Sequence, residues 1–573
     1  MTPPTVDFVL VLHSHLPYVL NHGRWPHGSD WLCEAALDTY LPLVRALDAL
    51  AADGVDAPVT LGITPILASQ LAHPTFGKEL DAYLAQRLDA CIECEGALPG
   101  TADAHLIDIT RWWHGRYMLL KETWEAINFD IIGALAAHAR AGRLEITSSA
   151  ATHGFLPLLG RDESIRLQLA VGANEHERIF GVRAAGLWLP ECAYRPRGPW
   201  APDPSAPGAG RVRAGIETFL EEANIRFVTV DAHLARAGQS LGLYGEVALT
   251  QGELLREGVL IESGRRRHSP YRTYRIGRRR NEDAPRILVR DPRTSFKVWS
   301  RHDGYPGDGS YLEFHKIRYP GGLKLWRVTD SKAELGQKQP YSPEHARRAV
   351  ARDGVDFAAT LGTIATQGVD PLREVIVAPF DTELFGHWWF EGVDFLEGLY
   401  RALPAQPAVR ATTASGHIAR ARQMGAVQLA PGSWGADGDF SMWIGPTTLW
   451  TWQRLWPLEE RFWAVAALAL ADPDKHAILA QATRSLLLLQ SSDWQFIIST
   501  GEVADYAERR FIEHAEDTSR LLAALEGGAG VDLESTREFA ETLRTRDDVF
   551  PGVLDGLRVA LAGSALVPAG AAG

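Results

Sequence analysis

Seven short runs of apolar and β-branched residues constrain this chain more than any other feature. They span residues 8–13, 59–63, 144–148, 185–189, 226–230, 295–299 and 374–379. A strand with one wet face alternates apolar and polar side chains. A continuous apolar run suits a strand covered on both faces, as in a parallel sheet. Helical stretches separate the runs, so the chain reads as successive right-handed βαβ units. Together they predict an α/β fold, a (β/α)7 barrel. Several runs lead into polar or charged residues: His13 and His15, Ser148 and Ser149, Glu191, Asp231 and Asp381. A βα barrel builds its active face at the C-terminal ends of its strands.

The barrel is expected over residues 1–410. Between the fifth and sixth runs, residues 232–292 exceed a simple helical crossover and predict a small inserted domain. That stretch holds eight Arg between positions 265 and 280. The Arg run reads either as a solvated loop or as a docking surface for an acidic partner or anionic group. After residue 410 the pattern changes. Residues 449–471, 475–489 and 506–525 have helical character, so 411–560 read as a C-terminal α-helical domain. A Gly- and Trp-rich segment, 431–446, joins it to the barrel. The end of the chain, 561–573, is small and patternless and reads as a disordered tail.

The formal net charge of −13 disfavours nucleic acid or an anionic membrane as a partner. No signal peptide is read at the N-terminus, and no apolar run reaches the ~18 residues that cross a bilayer. Four Cys do not make a disulfide scaffold and fit a reducing, cytoplasmic location. Cys91 and Cys94 form a lone C-x-x-C, read as incidental rather than as metal or redox chemistry. The 18 Trp stand out. Most are expected in the core, but several lie in Gly-rich loops, where flat faces suit sugar rings.

Glu191 follows Gly186-Leu187-Trp188-Leu189-Pro190, and Asp381 follows Ile376-Val377-Ala378-Pro379-Phe380. Either alone serves as a cap, an ion-pair partner or a catalytic group. On the fourth and seventh strands of a closed barrel they can face each other across its mouth. Two carboxyls about 5–5.5 Å apart make a retaining glycosidase, and about 6.5–9.5 Å an inverting one. The sequence leaves both open. His13 and His15 share one side of the first strand. They read as hydrogen-bonding groups for sugar hydroxyls or as zinc ligands, although no third ligand with metal spacing accompanies them. His153 reads either as structural or as part of the same cluster.

The blocks Val11-Leu12-His13-Ser14-His15-Leu16-Pro17-Tyr18, Trp188-Leu189-Pro190-Glu191-Cys192-Ala193-Tyr194 and Pro379-Phe380-Asp381-Thr382-Glu383-Leu384-Phe385-Gly386-His387-Trp388-Trp389 resemble glycoside hydrolase family 57. More narrowly, the chain is similar to the family's 1,4-α-glucan branching enzymes. Val289-Arg290-Asp291, Val298-Trp299-Ser300, Gly304-Tyr305-Pro306-Gly307-Asp308, Lys324-Leu325-Trp326-Arg327-Val328-Thr329, Gly432-Ser433-Trp434-Gly435 and Ser491-Ser492-Asp493-Trp494-Gln495-Phe496 extend the likeness.

The resemblance implies a retaining, metal-independent reaction without cofactor on an α-glucan polysaccharide such as amylose or a glycogen-like polymer. It implies Glu191 as nucleophile and Asp381 as general acid/base. His13, His15, His153, Arg290, Trp299, Gly307, Glu383, Trp434, Trp443, Asp493, Trp494 and Glu502 are the expected substrate-binding residues. It further implies a loop Tyr that closes over the cleft, with Tyr244, Tyr271 and Tyr274 as candidates. The alternatives are an α-amylase or 4-α-glucanotransferase of the same family, including one acting on a modified α-glucan. Outside it stand a non-catalytic glucan-binding protein and a zinc deacetylase-like barrel.

Overall fold

Seven parallel strands pair in chain order and return to the first. They are β1 (Val6–Ser14), β2 (Val59–Ile63), β3 (Leu144–Thr147), β4 (Gly186–Leu187), β5 (Phe227–Val230), β6 (Arg286–Val289) and β7 (Val375–Asp381). β1 lies between β2 and β7, with His13 opposite Gly62 on one side and Asp381 on the other. The ladders β2–β3, β4–β5 and β5–β6 are parallel. Single parallel bridges, Ser148 to Leu187 and Arg290 to Val377, close the two remaining gaps. The result is the (β/α)7 barrel, here in a computed structural model that describes residues 5–25, 27–201, 210–237, 268–277, 283–300, 304–330, 332–367, 374–421, 424–527 and 532–565. All nine residues of β1 are buried, which is why its sequence shows no alternation.

The sixth run requires correction. Residues 295–299 belong to a helix, Pro292–Trp299, not a strand. Asp291 caps it by accepting a hydrogen bond from the Thr294 N–H at 2.8 Å, and Pro292 occupies its first turn. The β-branched, aromatic composition of the run concealed that start signal. The true sixth strand, Arg286–Val289, lies inside the range read as an insertion. So does Tyr274–Ile276, which runs antiparallel to β6 and parallel to Gly425–Val427. The sheet therefore also continues past residue 410, where Val409–Ala411 pairs with β1. Tyr244 and the Arg residues 265–267 and 278–280 lie outside the described residues.

The C-terminal region is helical: Leu449–Leu470, His476–Leu489, Asp493–Thr500, Ala504–Glu526, Leu533–Arg546 and Val553–Ala565. His476–Leu489 is buried on nearly every side and packs against Ala504–Glu526 and Leu533–Arg546. Its C-terminal end delivers Ser491, Ser492 and Asp493 to the barrel. The helix Val553–Ala565 runs into the range read as a disordered tail, and residues 566–573 lie outside the described residues. Among the described residues no helix is long and apolar enough to cross a membrane.

Candidate active site

Glu191 projects from the single turn Pro190–Cys192 that follows β4. Its backbone is left-handed (φ 59°, ψ 25°), as is that of Cys192 (φ 49°). An L-residue pays roughly 1–2 kcal/mol for that region, and such strain gathers at functional sites. The C-terminal part of the chain holds the turn in place. The Trp434 N–H donates to the Glu191 carbonyl at 3.0 Å. Trp434 Nε1 donates to Glu191 Oε2 at 3.0 Å, and the Ser492 hydroxyl donates to Oε1 at 3.1 Å. Burial pushes the Glu191 carboxyl up to about 7, with the Asp493 charge adding to the rise and these two donors opposing it.

Asp381 ends β7, in register with His13 of β1. Burial raises its carboxyl well above the usual range, the charges of Glu383 and Glu191 raise it further, and Arg290 pulls it back. No hydrogen bond reaches its carboxylate among the described residues. Glu191 and Asp381 thus stand at the ends of the fourth and seventh strands as two mutually repelling carboxyls.

A stack of rings lies beside them. His13 packs parallel on Trp188 at 4.5 Å (8°), His153 lies 5.0 Å from His13, and His15 lies 4.1 Å from His153. His13 and His153 share a hydrogen bond between their Nε2 atoms at 3.1 Å. His153 Nδ1 bonds Ser492 Oγ at 2.9 Å. His15 bonds Thr64 through Nδ1 at 3.0 Å and Asp493 through Nε2 at 2.9 Å. Burial, and then the neighbouring imidazoles, hold His13 and His153 well below the usual histidine range. Burial also disfavours the charge on His15, but Asp493 outweighs it and leaves His15 raised. The contact with Asp493 thus favours the protonated ring at His15, while burial disfavours it at His13 and His153. Among the described residues no group of three or more His, Cys, Asp or Glu is disposed to hold a metal ion.

A second group of side chains centres on Arg290. This residue is 2% exposed and pairs with Asp231 at 3.0 Å and Ser295 at 2.9 Å. Its guanidinium lies 5.7 Å from the rings of both Trp299 and Trp434. Trp434 in turn meets Trp188 and Trp299 edge-on at 5.0 and 5.8 Å. Glu383 accepts from the Tyr40 hydroxyl at 2.5 Å and from the His15 N–H at 3.2 Å, and burial pushes its carboxyl up to about 7.

The structure thus gathers Glu191, Asp381, His13, His15, His153, Arg290, Trp299, Glu383, Trp434 and Asp493. It corrects Trp443 and Trp494, which have no exposed surface. Trp443 lies flat on Phe155 at 4.5 Å, and Trp494 Nε1 donates to the Leu488 carbonyl at 2.8 Å. Both rings are core, so neither face is open to a sugar. Gly307 sits in the turn Tyr305–Gly307, with no hydrogen bond to the carboxyl pair among the described residues. Glu502 is exposed ahead of helix Ala504–Glu526. Tyr271 and Tyr274 are buried, and the Tyr274 hydroxyl is tied to Ser269, so neither is poised to close over the site. Sequence reasoning missed Ser492, Trp188 and Tyr40. The first two lie within blocks already singled out, one residue before Asp493 and three before Glu191, while nothing local marks Tyr40. All four cysteines are free and buried.

Comparison with known proteins places these features in context. The family model for glycosyl hydrolase family 57 matches residues 9–430, and that for the 1,4-alpha-glucan branching enzyme C-terminal region matches 455–554. The chain is 37% identical over 553 residues to a 1,4-alpha-glucan branching enzyme of Thermococcus kodakarensis, covering 95% of this chain and 77% of that protein. The crystal structure of that enzyme superposes with a TM-score of 0.85 at 36% identity, covering 96% of each chain. A branching enzyme from Pyrococcus horikoshii superposes at 0.83 and 33% identity, covering 97% of this chain and 96% of that one. An alpha-amylase from Thermotoga maritima gives 0.76 at 26% identity, covering 97% and 99%.

Proposed function

The chain belongs to glycosyl hydrolase family 57, and from that premise we propose that it is a 1,4-α-glucan branching enzyme acting by retaining double displacement. The observation that carries the reading is the origin of the groups around Glu191. Ser492, which hydrogen-bonds its carboxylate, comes from the region matched by the branching-enzyme C-terminal model.

In the first half-reaction a Glu191 oxygen attacks the anomeric carbon of an α-1,4-linked glucosyl unit. The glycosidic bond breaks as Asp381 gives its proton to the departing 4-oxygen. In the second, the 6-hydroxyl of another glucan chain attacks the glucosyl-Glu191 ester, Asp381 takes that hydroxyl's proton, and Glu191 leaves as carboxylate. Burial, with the Glu383 and Glu191 charges, raises the Asp381 carboxyl and so favours the protonated acid, while the two donors on Glu191 favour its ionised form. His13, His15, His153, Arg290, Trp299, Trp434 and Asp493 line the walls that bind the sugar, with Glu383 behind His15. The polymer is amylose or a glycogen-like α-glucan, and the reaction belongs to the synthesis of a branched storage glucan. Four free, buried cysteines support a reducing, cytoplasmic setting.

The test is linkage analysis after incubation with amylose. New α-1,6 linkages at constant mass of polymer are expected. The likeness to the Thermotoga alpha-amylase favours hydrolysis as the second reading. Only shorter linear chains and new reducing ends would establish that reading instead.

A further inference from the structure

Trp388 is 50% exposed, although it immediately follows the buried His387 in the loop after β7. It lies nearly parallel to Phe314, with ring centroids 5.0 Å apart at 26°. The loop that carries it is fixed. The Trp388 N–H donates to the Glu383 carbonyl at 3.1 Å, and the His387 N–H donates to Thr39 Oγ1 at 3.1 Å. Gly386 turns the chain with φ +115° against the Asp38 carbonyl. The braced loop thus holds part of the Trp388 ring open to solvent, beside the Phe314 ring stacked on it.

Beside the rings the surface becomes polar. Lys324 Nζ sits 4.7 Å from the Phe314 ring centroid. With Glu34, Asp38 and Arg87 it lines a shallow concavity of about 30 Å³, room for little more than a water, so a sugar would lie across its rim rather than inside it. His387, 5% exposed, borders Asp38, with its Nδ1 3.9 Å from an Asp38 carboxylate oxygen. Two carboxylates and two cations leave no net charge, so an ion of either sign gains little here. A neutral ring rich in hydroxyls gains donors and acceptors together, and its flat C–H face matches an aromatic ring. Between this surface and the His15 cluster lie Tyr40 and Glu383.

We propose that Phe314 and Trp388, with the concavity lined by Glu34, Asp38, Arg87 and Lys324, form a second contact for an α-glucan chain, outside the walls around Glu191 and Asp381. The proposal rests on the α-glucan reading of the family site. A polymer reaches both places at once and gains from both; a short oligosaccharide engages one.

The test uses the full chain carrying Glu191→Gln, so that bound glucan is not turned over, and measures retardation in native gels containing amylose. Trp388→Ala is expected to weaken amylose binding roughly five- to tenfold, and Trp388→Phe, which keeps a ring face, by no more than about twofold. Lys324→Gln leaves Trp388 in place and is expected to weaken binding about threefold, so a poorly folding Trp388 variant still leaves a readout. Amylose binding equal to the parent in both Trp388→Ala and Lys324→Gln would overturn the proposal. If amylose depends on Trp388 but the active chain makes no α-1,6 linkage, the branching reading fails and this contact stands.

Discussion

Ser492 donates to Glu191 across 301 positions of sequence, its hydroxyl 3.1 Å from Oε1, and Ser492 Oγ also lies 2.9 Å from His153 Nδ1. The strained carboxylate of one region is thus positioned by a side chain of another. Removing that donor destabilises the ionised carboxylate, so Ser492→Ala is expected to raise the pKa of Glu191. In the proposed mechanism Glu191 acts ionised, so the acid limb of kcat/KM should move to higher pH and kcat should fall roughly tenfold. Ser492→Thr keeps the hydroxyl and should restore the limb. Steady-state pH profiles of the three proteins check this, and an unmoved limb in the Ala variant would refute the positioning role.

Glu191→Gln is expected to cut turnover at least ~10³-fold. It should also stabilise the fold, with a definite pH dependence. Burial pushes the folded carboxyl up to about 7 from an ordinary value of 4.5. Its ionisation therefore weakens the native state. The penalty is absent below the ordinary value, grows as pH rises, and is complete above about 7, with an upper bound of about 3 kcal/mol. Denaturant unfolding should show the Gln variant gaining more at pH 8 than at pH 5. Equal gains at both would contradict the assignment.

Asp231 and Arg290 form a buried ion pair at 3.0 Å, with side chains 1% and 3% exposed. Burial alone would raise the Asp231 carboxyl, but Arg290 and His233 outweigh it and hold it low. Asp231→Ala strands the guanidinium and should cost about 3–5 kcal/mol. Asp231→Leu combined with Arg290→Met removes both charges and should cost clearly less than the sum of its parts. A double-mutant cycle by chemical denaturation measures the coupling, and strict additivity would count against it.

Gly386→Ala tests the bracing of the loop after β7. An added Cβ would fall 1.9 Å from the Asp38 carbonyl oxygen, at φ +115°. The strained dihedral alone is worth about 1–3 kcal/mol, and the clash adds to it. The thermal midpoint should drop by several degrees, roughly 2–4 °C per kcal/mol at most for a chain of this length. An unchanged midpoint would show that the loop yields freely.

Much of this protein was legible before its fold. Six of the seven barrel strands follow from apolar runs, because strands buried on both faces leave no room for polar alternation. Glu191 and Asp381 stand out because the barrel displays side chains at its strand ends. The misread run at 295–299 carried a helix signal in Asp291-Pro292, a cap followed by a residue with preset φ, which a β-branched composition masked. The barrel, the two strand-end carboxylates and the family likeness of the blocks are legible in residue order. Which aromatic residues remain open is set by packing between distant elements. Trp434 and Trp388 present surface, while Trp443 and Trp494 are sealed in the core. Exposure depends on which distant helices cover a ring, and no local pattern records that. For the same reason the partners of Glu191, drawn from residues 434 and 492, exist only once the helical region has closed against the barrel.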